Sequence, residues 1–284
     1  MNENKKRLWI YCGITFVITW LLIALIPLTG EAYGGLFSTL LLAGCMFIPT
    51  IGNVLTRIIT KEGFKDFKLA PKWKGNVKYY VLSYFIFTLL IFLGVALYFL
   101  VFRDSFDFYA MTTLTNGSMP VSFPTIGVYV LGAALLSPII NIIPTLGEEI
   151  GWRGYLLYKL QNEYGTVKAI VFSGIIWGLW HAPMIVLGHN YGTGYWGYPV
   201  SGILLMILWC TMLGIIEGYV TIKTGSVIPA AICHSAVNGL AALGMMFCTG
   251  TPNPLLGPTF CGLIVMVPAV IFAGFLVNKL RKES

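Results

Sequence analysis

Glu148-Glu149-Ile150-Gly151-Trp152-Arg153 follows directly on an apolar run long enough to cross a bilayer. Two adjacent carboxylates and a guanidinium are costly there, and ionisable groups within membrane helices face a protein cavity and mark function by default. Around this stretch, 57% of the 284 residues are hydrophobic and 10% are charged. Mean hydropathy is +0.81, outside the range of soluble domains. A helix needs about 20 apolar residues to span the hydrocarbon core. Eight such runs are expected: Leu8–Leu28, Leu36–Ile59, Tyr79–Phe102, Thr125–Gly147, Val167–Leu187, Val200–Ile222, Val227–Phe247 and Thr259–Asn278. Intervening loops are mostly short, and no period-2 alternation supports a barrel. The expected fold class is all-α: a polytopic membrane protein of about eight transmembrane helices, one domain over 1–284 with its motifs in 125–240.

The net charge of +7 reflects loop placement and does not point to nucleic acid. Lys5, Lys6 and Arg7 precede the first run; Arg57, Lys61, Lys65, Lys68, Lys72, Lys74 and Lys78 surround the loop after the second. Arg153, Lys159 and Lys168 follow the fourth, Lys223 the sixth, and Lys279, Arg281 and Lys282 end the chain. Arg103 alone falls on the other side, with Glu31, Asp104 and Asp107. Cytoplasmic loops accumulate Lys and Arg, so both termini are expected in the cytoplasm, and the basic loop 61–78 against anionic headgroups. The first run is too long for a signal-peptide h-region and closes without a small-x-small site, so it reads as an uncleaved helix. The six cysteines show no C-x-x-C spacing and read as buried free thiols. Asn116-Gly117-Ser118 matches a glycosylation sequon, of consequence only in a eukaryotic secretory pathway.

Three constellations carry chemistry. On a helix, Glu149 and Arg153 are i,i+4 partners in the favourable orientation, which assigns them a structural pair and leaves Glu148 as base. Glu148, Thr145 and Asn141 form a polar stripe expected to face a wet cavity. The bland alternative is an interfacial salt bridge with a snorkelling acid. His181 lies in Trp177-Gly178-Leu179-Trp180-His181-Ala182-Pro183. Trp177 shares its face one turn earlier, and Pro183 disturbs the helix, a break tolerated where backbone lines a cavity. A hydrogen-bonded core histidine is the competing reading. His234 and Asn238, also i,i+4, share one face; interhelical polar glue is the alternative there. Glu217 lies mid-span, a structural partner by default, and His189 sits in a Gly- and aromatic-rich outer loop, read as loop chemistry. Gly174 and Gly178 form a G-x-x-x-G helix contact. Gly192-Thr193-Gly194-Tyr195-Trp196-Gly197 fits a dinucleotide fingerprint only by chance, since no βαβ unit surrounds it.

Glu-Glu-x-x-x-Arg, an aromatic-x-x-x-His and His-x-x-x-Asn, each on its own membrane helix, resemble the CPBP intramembrane proteases. That family includes type II CAAX-prenyl endopeptidases and proteins tied to bacteriocin processing or self-immunity. The resemblance covers 125–238 and implies catalytic roles for Glu148, Glu149, Arg153, His181, His234 and Asn238, with Trp177 where the family more often has Phe. No His-Glu-x-x-His, Gly-x-Ser-x-Gly or Gly-x-Gly-Asp is present, which argues against zincin-like, serine and aspartyl proteases.

The expected activity is hydrolysis of a peptide bond in a membrane-associated, lipidated or propeptide substrate, in a bacterial plasma membrane. Glu148 with His181 would activate water, while His234 and Asn238 would donate to the oxyanion. No cofactor is firmly implied; a zinc ion on Glu148, His181 and His234 is the competing version. A proton-coupled transporter and a non-catalytic immunity or scaffold protein are the alternatives, although no internal repeat of the transporter kind is visible. One difficulty stands in the spans as read. At about 1.5 Å per residue, His181 lies roughly 21 Å deep, His234 roughly 10 Å, and Glu148 at the inner surface. Convergence requires a fifth helix that starts in the cytosol or an inward tilt of the fourth, with cytosolic water reaching the site.

Overall fold

The computed structural model describes residues 2–114 and 122–283; the sequon at 116–118 lies outside them. Thirteen α-helices are described: α1 Glu3–Leu28, α2 Leu36–Cys45, α3 Ile48–Ile59, α4 Val77–Val101, α5 Ala110–Leu114, α6 Phe123–Ile140, α7 Ile142–Gly151, α8 Leu157–Tyr164, α9 Thr166–Trp180, α10 Ala182–Val186, α11 Val200–Thr224, α12 Ile228–Gly239 and α13 Val267–Glu283. No strand occurs among the described residues; Phe106 and Cys248 form an isolated bridge.

Among the described residues, seven helical segments are long and apolar enough to span a bilayer, the last being Ile228–Phe247. The chain is an integral membrane protein. The eighth expected span, Thr259–Asn278, falls short: Gly257, Pro258 and Gly262 hold its first part in turns, and α13 begins only at Val267 and runs 17 residues. Large apolar side chains such as Leu21, Leu89, Val128, Leu131 and Phe275 face outward, the inverse of a soluble core and suited to lipid.

Local chemistry sets the boundaries. The Asn2 side chain accepts from Lys5 N at the start of α1, and Ser122 accepts from Thr125 N at the start of α6, where Pro124 fills an early helical position. Gly165 (φ +76°) turns α8 directly back into α9, and Gly225 (φ +66°) ends α11 in the left-handed region that favours glycine. Gly174 and Gly178 let α9 lie against α11. A Cβ at either position would stand 2.4 Å from the Cα of Thr211 or Ile207, as the G-x-x-x-G reading requires.

Four membrane segments are broken: at Met46–Phe47, at Asn141, at His181 and after Gly239. Directly after the acidic motif, Trp152–Leu156 forms a π-helical turn, a feature that gathers at functional sites. Side chains stitch α7 to its neighbours. Thr50 Oγ1 donates to Gly147 O at 2.6 Å, Asn53 Nδ2 to Ile150 O at 3.2 Å, and Thr145 Oγ1 to Ala231 O at 3.1 Å. Asn141 N donates to Ser235 Oγ at 3.0 Å. Of the Glu148, Thr145 and Asn141 stripe expected to face a wet cavity, Glu148 lines one, while Thr145 Oγ1 and Asn141 N fasten α7 to α12.

Candidate active site

The depth conflict disappears because the fourth segment does not end at Gly147. Helical structure continues from Ile142 through the π-turn to Tyr164, then doubles back at Gly165. Glu148 lies 17 residues before that glycine and His181 lies 16 after it, so the two arms bring both to the same height. Glu148, His181, His234 and Asn238 line one cavity of about 300 Å³, with Trp177, Trp180, Met184, Met206 and Trp209. Its level also differs from expectation. Loop residues His189, Asn190 and Phe260 contribute to its wall, so it lies toward the face bearing Arg103, away from the basic loops.

Glu148 is buried, and its Oε2 accepts from two indoles, Trp152 Nε1 at 3.1 Å and Trp177 Nε1 at 2.8 Å. That leaves Oε1 for the cavity. His181 caps α9, and its Nδ1 lies 2.9 Å from Trp177 O. A carbonyl only accepts, so Nδ1 carries the proton and a neutral ring presents Nε2 as acceptor. Trp180 stands edge-on to this imidazole, centroids 4.8 Å apart. His234 Nδ1 lies 3.0 Å from Glu149 Oε1, which orients that ring in the same way. Asn238, one turn on, is exposed at the rim.

Glu149 and Arg153 do not line the cavity; they lie behind it. Arg153 is 3.2 Å from Glu149 Oε1 and 2.5 Å from Glu217 Oε2, with all three side chains essentially solvent-free. The guanidinium also stacks over Trp177, 4.3 Å from the ring centroid. Arg153 thus ties Glu149, and through it His234, to the indole that holds Glu148.

Residues absent from the expected set join the site. Trp152 could have been found from its i,i+4 spacing to Glu148, the relation that pairs Glu149 with Arg153. Glu217, placed by default as a structural partner, closes the ion layer from α11. His189, read as loop chemistry, lines the cavity half-buried, and its Nδ1 is hydrogen-bonded to the Tyr33 hydroxyl. Burial pushes the His189 imidazole down to about 4.

The metal set expected from sequence, Glu148, His181 and His234, is not the one the geometry gathers. Among the described residues, the atoms within 4.8 Å of one another belong to Glu149, Glu217 and His234. Arg153 already supplies a cation to both of those carboxylates, and a divalent ion beside it would meet like-charge repulsion. This donor set suits a guanidinium, and it does not fit zinc.

Fold and site together define a polytopic membrane protein with a buried Glu/His cavity backed by an ion layer. Residues 128–240 match the family described as type II CAAX prenyl endopeptidase Rce1-like. Among curated proteins, the chain is 29% identical over 248 residues to CAAX prenyl protease 2 of Methanococcus maripaludis, covering 84% of this chain and 85% of the relative. Both comparisons liken the chain to the type II CAAX prenyl endopeptidases, a family of intramembrane proteases.

Proposed function

We propose that this protein is an intramembrane endopeptidase that hydrolyses a peptide bond of a membrane-associated substrate with a glutamate-activated water. Residues 1–284 act as one protease domain, seated in a bacterial plasma membrane with both termini cytoplasmic. The observation that carries the reading is the convergence on one cavity of Glu148, with Oε2 tied by two indoles, and His181, with Nε2 left as acceptor.

Water between Glu148 Oε1 and His181 Nε2 gives its proton to the carboxylate as its oxygen bonds to the substrate carbonyl carbon. The oxyanion accepts from Asn238 Nδ2 and from His234. Because His234 Nδ1 faces Glu149 Oε1, it is through Nε2 of the doubly protonated ring that this residue donates. Collapse breaks the C–N bond as Glu148 returns the proton to the leaving amine. Each oxyanion donor is worth about 10²–10³ in rate.

Glu149, Arg153 and Glu217 hold this arrangement without touching substrate. The curated relative is named for CAAX prenyl substrates; a lipidated peptide, a bacteriocin leader and a signalling propeptide share the chemistry this cavity would handle. The test is cleavage of fluorogenic peptides by purified protein and by Glu148→Gln. Cleavage that vanishes in the variant, with substrate binding retained, is expected. Equal cleavage by both, or gradient-driven uptake without new fragments, overturns the reading.

A further inference from the structure

We propose that His189 and Asn190 form a subsite that holds one residue of the substrate backbone, His189 Nε2–H donating to its carbonyl and Asn190 Oδ1 accepting from its N–H. The inference rests on the protease reading above and gives roles to two residues that the reaction scheme does not use.

Of the carboxyl, imidazole and carboxamide groups that line the cavity, Glu148, His181, His234 and Asn238 act on the scissile bond. His189 and Asn190 are left over. Much of the remaining wall is apolar, with Met184, Met206, Leu213 and Val237. A peptide drawn into such a space gives up water at each amide, and an amide left without a partner is costly there. In an extended chain the N–H and C=O of one residue leave the backbone on the same side. A donor and an acceptor on adjacent residues match that pair, whatever the side chain of the residue held.

A neighbour decides where His189 carries its proton. Nδ1 is hydrogen-bonded to the Tyr33 hydroxyl, which has no other hydrogen-bond partner among the described residues. A hydroxyl that accepted from Nδ1 would leave its own proton unpaired, so Tyr33 donates and Nδ1 accepts. Burial pushes the Tyr33 phenol up to about 12 and the His189 imidazole down to about 4, which keeps both neutral near pH 7. The single ring proton is then on Nε2. Asn190 Nδ2 rests on Met206 Sδ at 3.7 Å, which leaves Oδ1 as the acceptor.

Both side chains stand on a pinned turn. Asn190 takes φ +65°, in the left-handed region that asparagine tolerates, between Gly188 at +94° and Gly192 at +69°. His189 N donates to Met184 O at 3.0 Å, Tyr191 N to His189 O at 2.8 Å, and Gly192 N to Gly188 O at 2.9 Å. The Tyr191 hydroxyl ties the turn to Cys261 O at 3.2 Å. A donor and acceptor fixed in this way lose little freedom when a peptide binds. From His181 through α10 to Leu187 the helical rise is about 9 Å. That is the reach of about two to three residues of extended peptide, which sets the distance of the held residue from the scissile bond.

The experiment uses full-length protein in micelles and a fluorogenic peptide whose backbone amides are replaced one at a time by esters, each removing one N–H. His189→Leu should raise KM about 5- to 10-fold with kcat little changed, the mark of a binding contact. Asn190→Gly, which keeps the left-handed backbone without the carboxamide, should do the same. Tyr33→Phe should raise KM about 2-fold, because the ring proton is then shared between the two nitrogens. In a His189→Leu background it should add nothing, since the phenol acts through the ring. One ester, about two to three residues from the scissile bond, should raise KM for the native protein and not for Asn190→Gly. KM unchanged in both His189→Leu and Asn190→Gly, losses confined to kcat, or no ester whose penalty Asn190→Gly abolishes, overturns the inference. If the native protein cuts no peptide, the protease reading falls, and peptide binding to Glu148→Gln, read by fluorescence anisotropy, decides the subsite instead. Weaker binding once His189→Leu is added supports it; equal or absent binding overturns it.

Discussion

Arg153→Met tests the ion layer behind the site. The guanidinium is 1% exposed and touches two carboxylates, Glu149 and Glu217, that are wholly buried. Removing one partner of a buried pair typically costs about 3–5 kcal/mol, because the remaining charge is left uncompensated. Methionine keeps much of the volume, so the loss is electrostatic. Here Glu217 loses the cation that faces it and Glu149 is left with the His234 ring, so one substitution disturbs two buried carboxylates and the expected loss is about 5 kcal/mol. A further Glu217→Gln removes one orphan and should restore part of that loss, so the double variant is more stable than Arg153→Met alone. In the native background, Glu217→Gln alone should destabilise, since it takes a partner from Arg153. The assay is reversible unfolding in mixed micelles, followed by tryptophan fluorescence. A double variant no more stable than the single one would refute the claim that Arg153 is held by charge, and would leave packing over Trp177 as its role.

Trp152→Phe and Trp177→Phe each remove one indole donor from Glu148 Oε2 while keeping an aromatic ring. Hydrogen bonds to charged groups contribute about 1.5–3 kcal/mol. Losing one should therefore lower kcat by roughly 10- to 100-fold, with KM little changed; unaltered kcat in both variants would show that neither indole positions the carboxylate. Dialysis against a zinc chelator should leave both activity and unfolding midpoint unchanged, because Arg153 already neutralises Glu149 and Glu217; loss restored specifically by zinc would reverse that conclusion. Burial alone would raise the Glu62 carboxyl. Hydrogen bonds from Lys159 and Tyr155, with the Lys159 and Arg57 charges, outweigh it and hold the group below the ordinary carboxylate range. A depressed carboxyl stabilises above its unfolded value near 4.5 and loses that contribution as pH falls through the lower folded value. Unfolding midpoints should drop below pH 4.5 less steeply in Glu62→Gln than in the native protein, and parallel profiles would count against this linkage.

Relations that stay within one helix were legible in the sequence. The i,i+4 spacing pairs Glu149 with Arg153 and puts His234 beside Asn238, and the same rule joins Glu148 to Trp152. Relations across helices were not. Glu217 has no charged neighbour within a turn on α11, and Arg153 reaches it from 64 positions earlier. The His189–Tyr33 bond spans 156 positions, so nothing near His189 marks it as part of a cavity wall. Glycine misleads about where the fourth segment stops. Gly147 and Gly151 look like the end of an apolar helix, yet the helix runs on. A Cβ at Gly151 would lie 2.4 Å from Pro49 Cβ, and one at Gly147 would lie 2.8 Å from Phe47 Cδ1. Those glycines permit close approach of α3, and helical structure continues past them through the π-turn Trp152–Leu156.

That close approach explains why the site can exist within a bilayer. Broken backbone exposes amide and carbonyl groups that lipid cannot satisfy, and the segment breaks at Phe47, Asn141 and His181 gather where neighbouring helices or the cavity meet those groups. Thr50 and Asn53 donate to carbonyls of α7, Ser235 accepts from Asn141 N, and Trp177 O receives the His181 ring. The polar residues that a sequence reader assigns to catalysis or to glue are here parts of one arrangement. Some fasten the broken helices together, and those helices carry the remainder to a common height. A substitution at Thr50 or Ser235 should therefore act through Glu148 and His234, disturbing turnover before it disturbs the membrane fold.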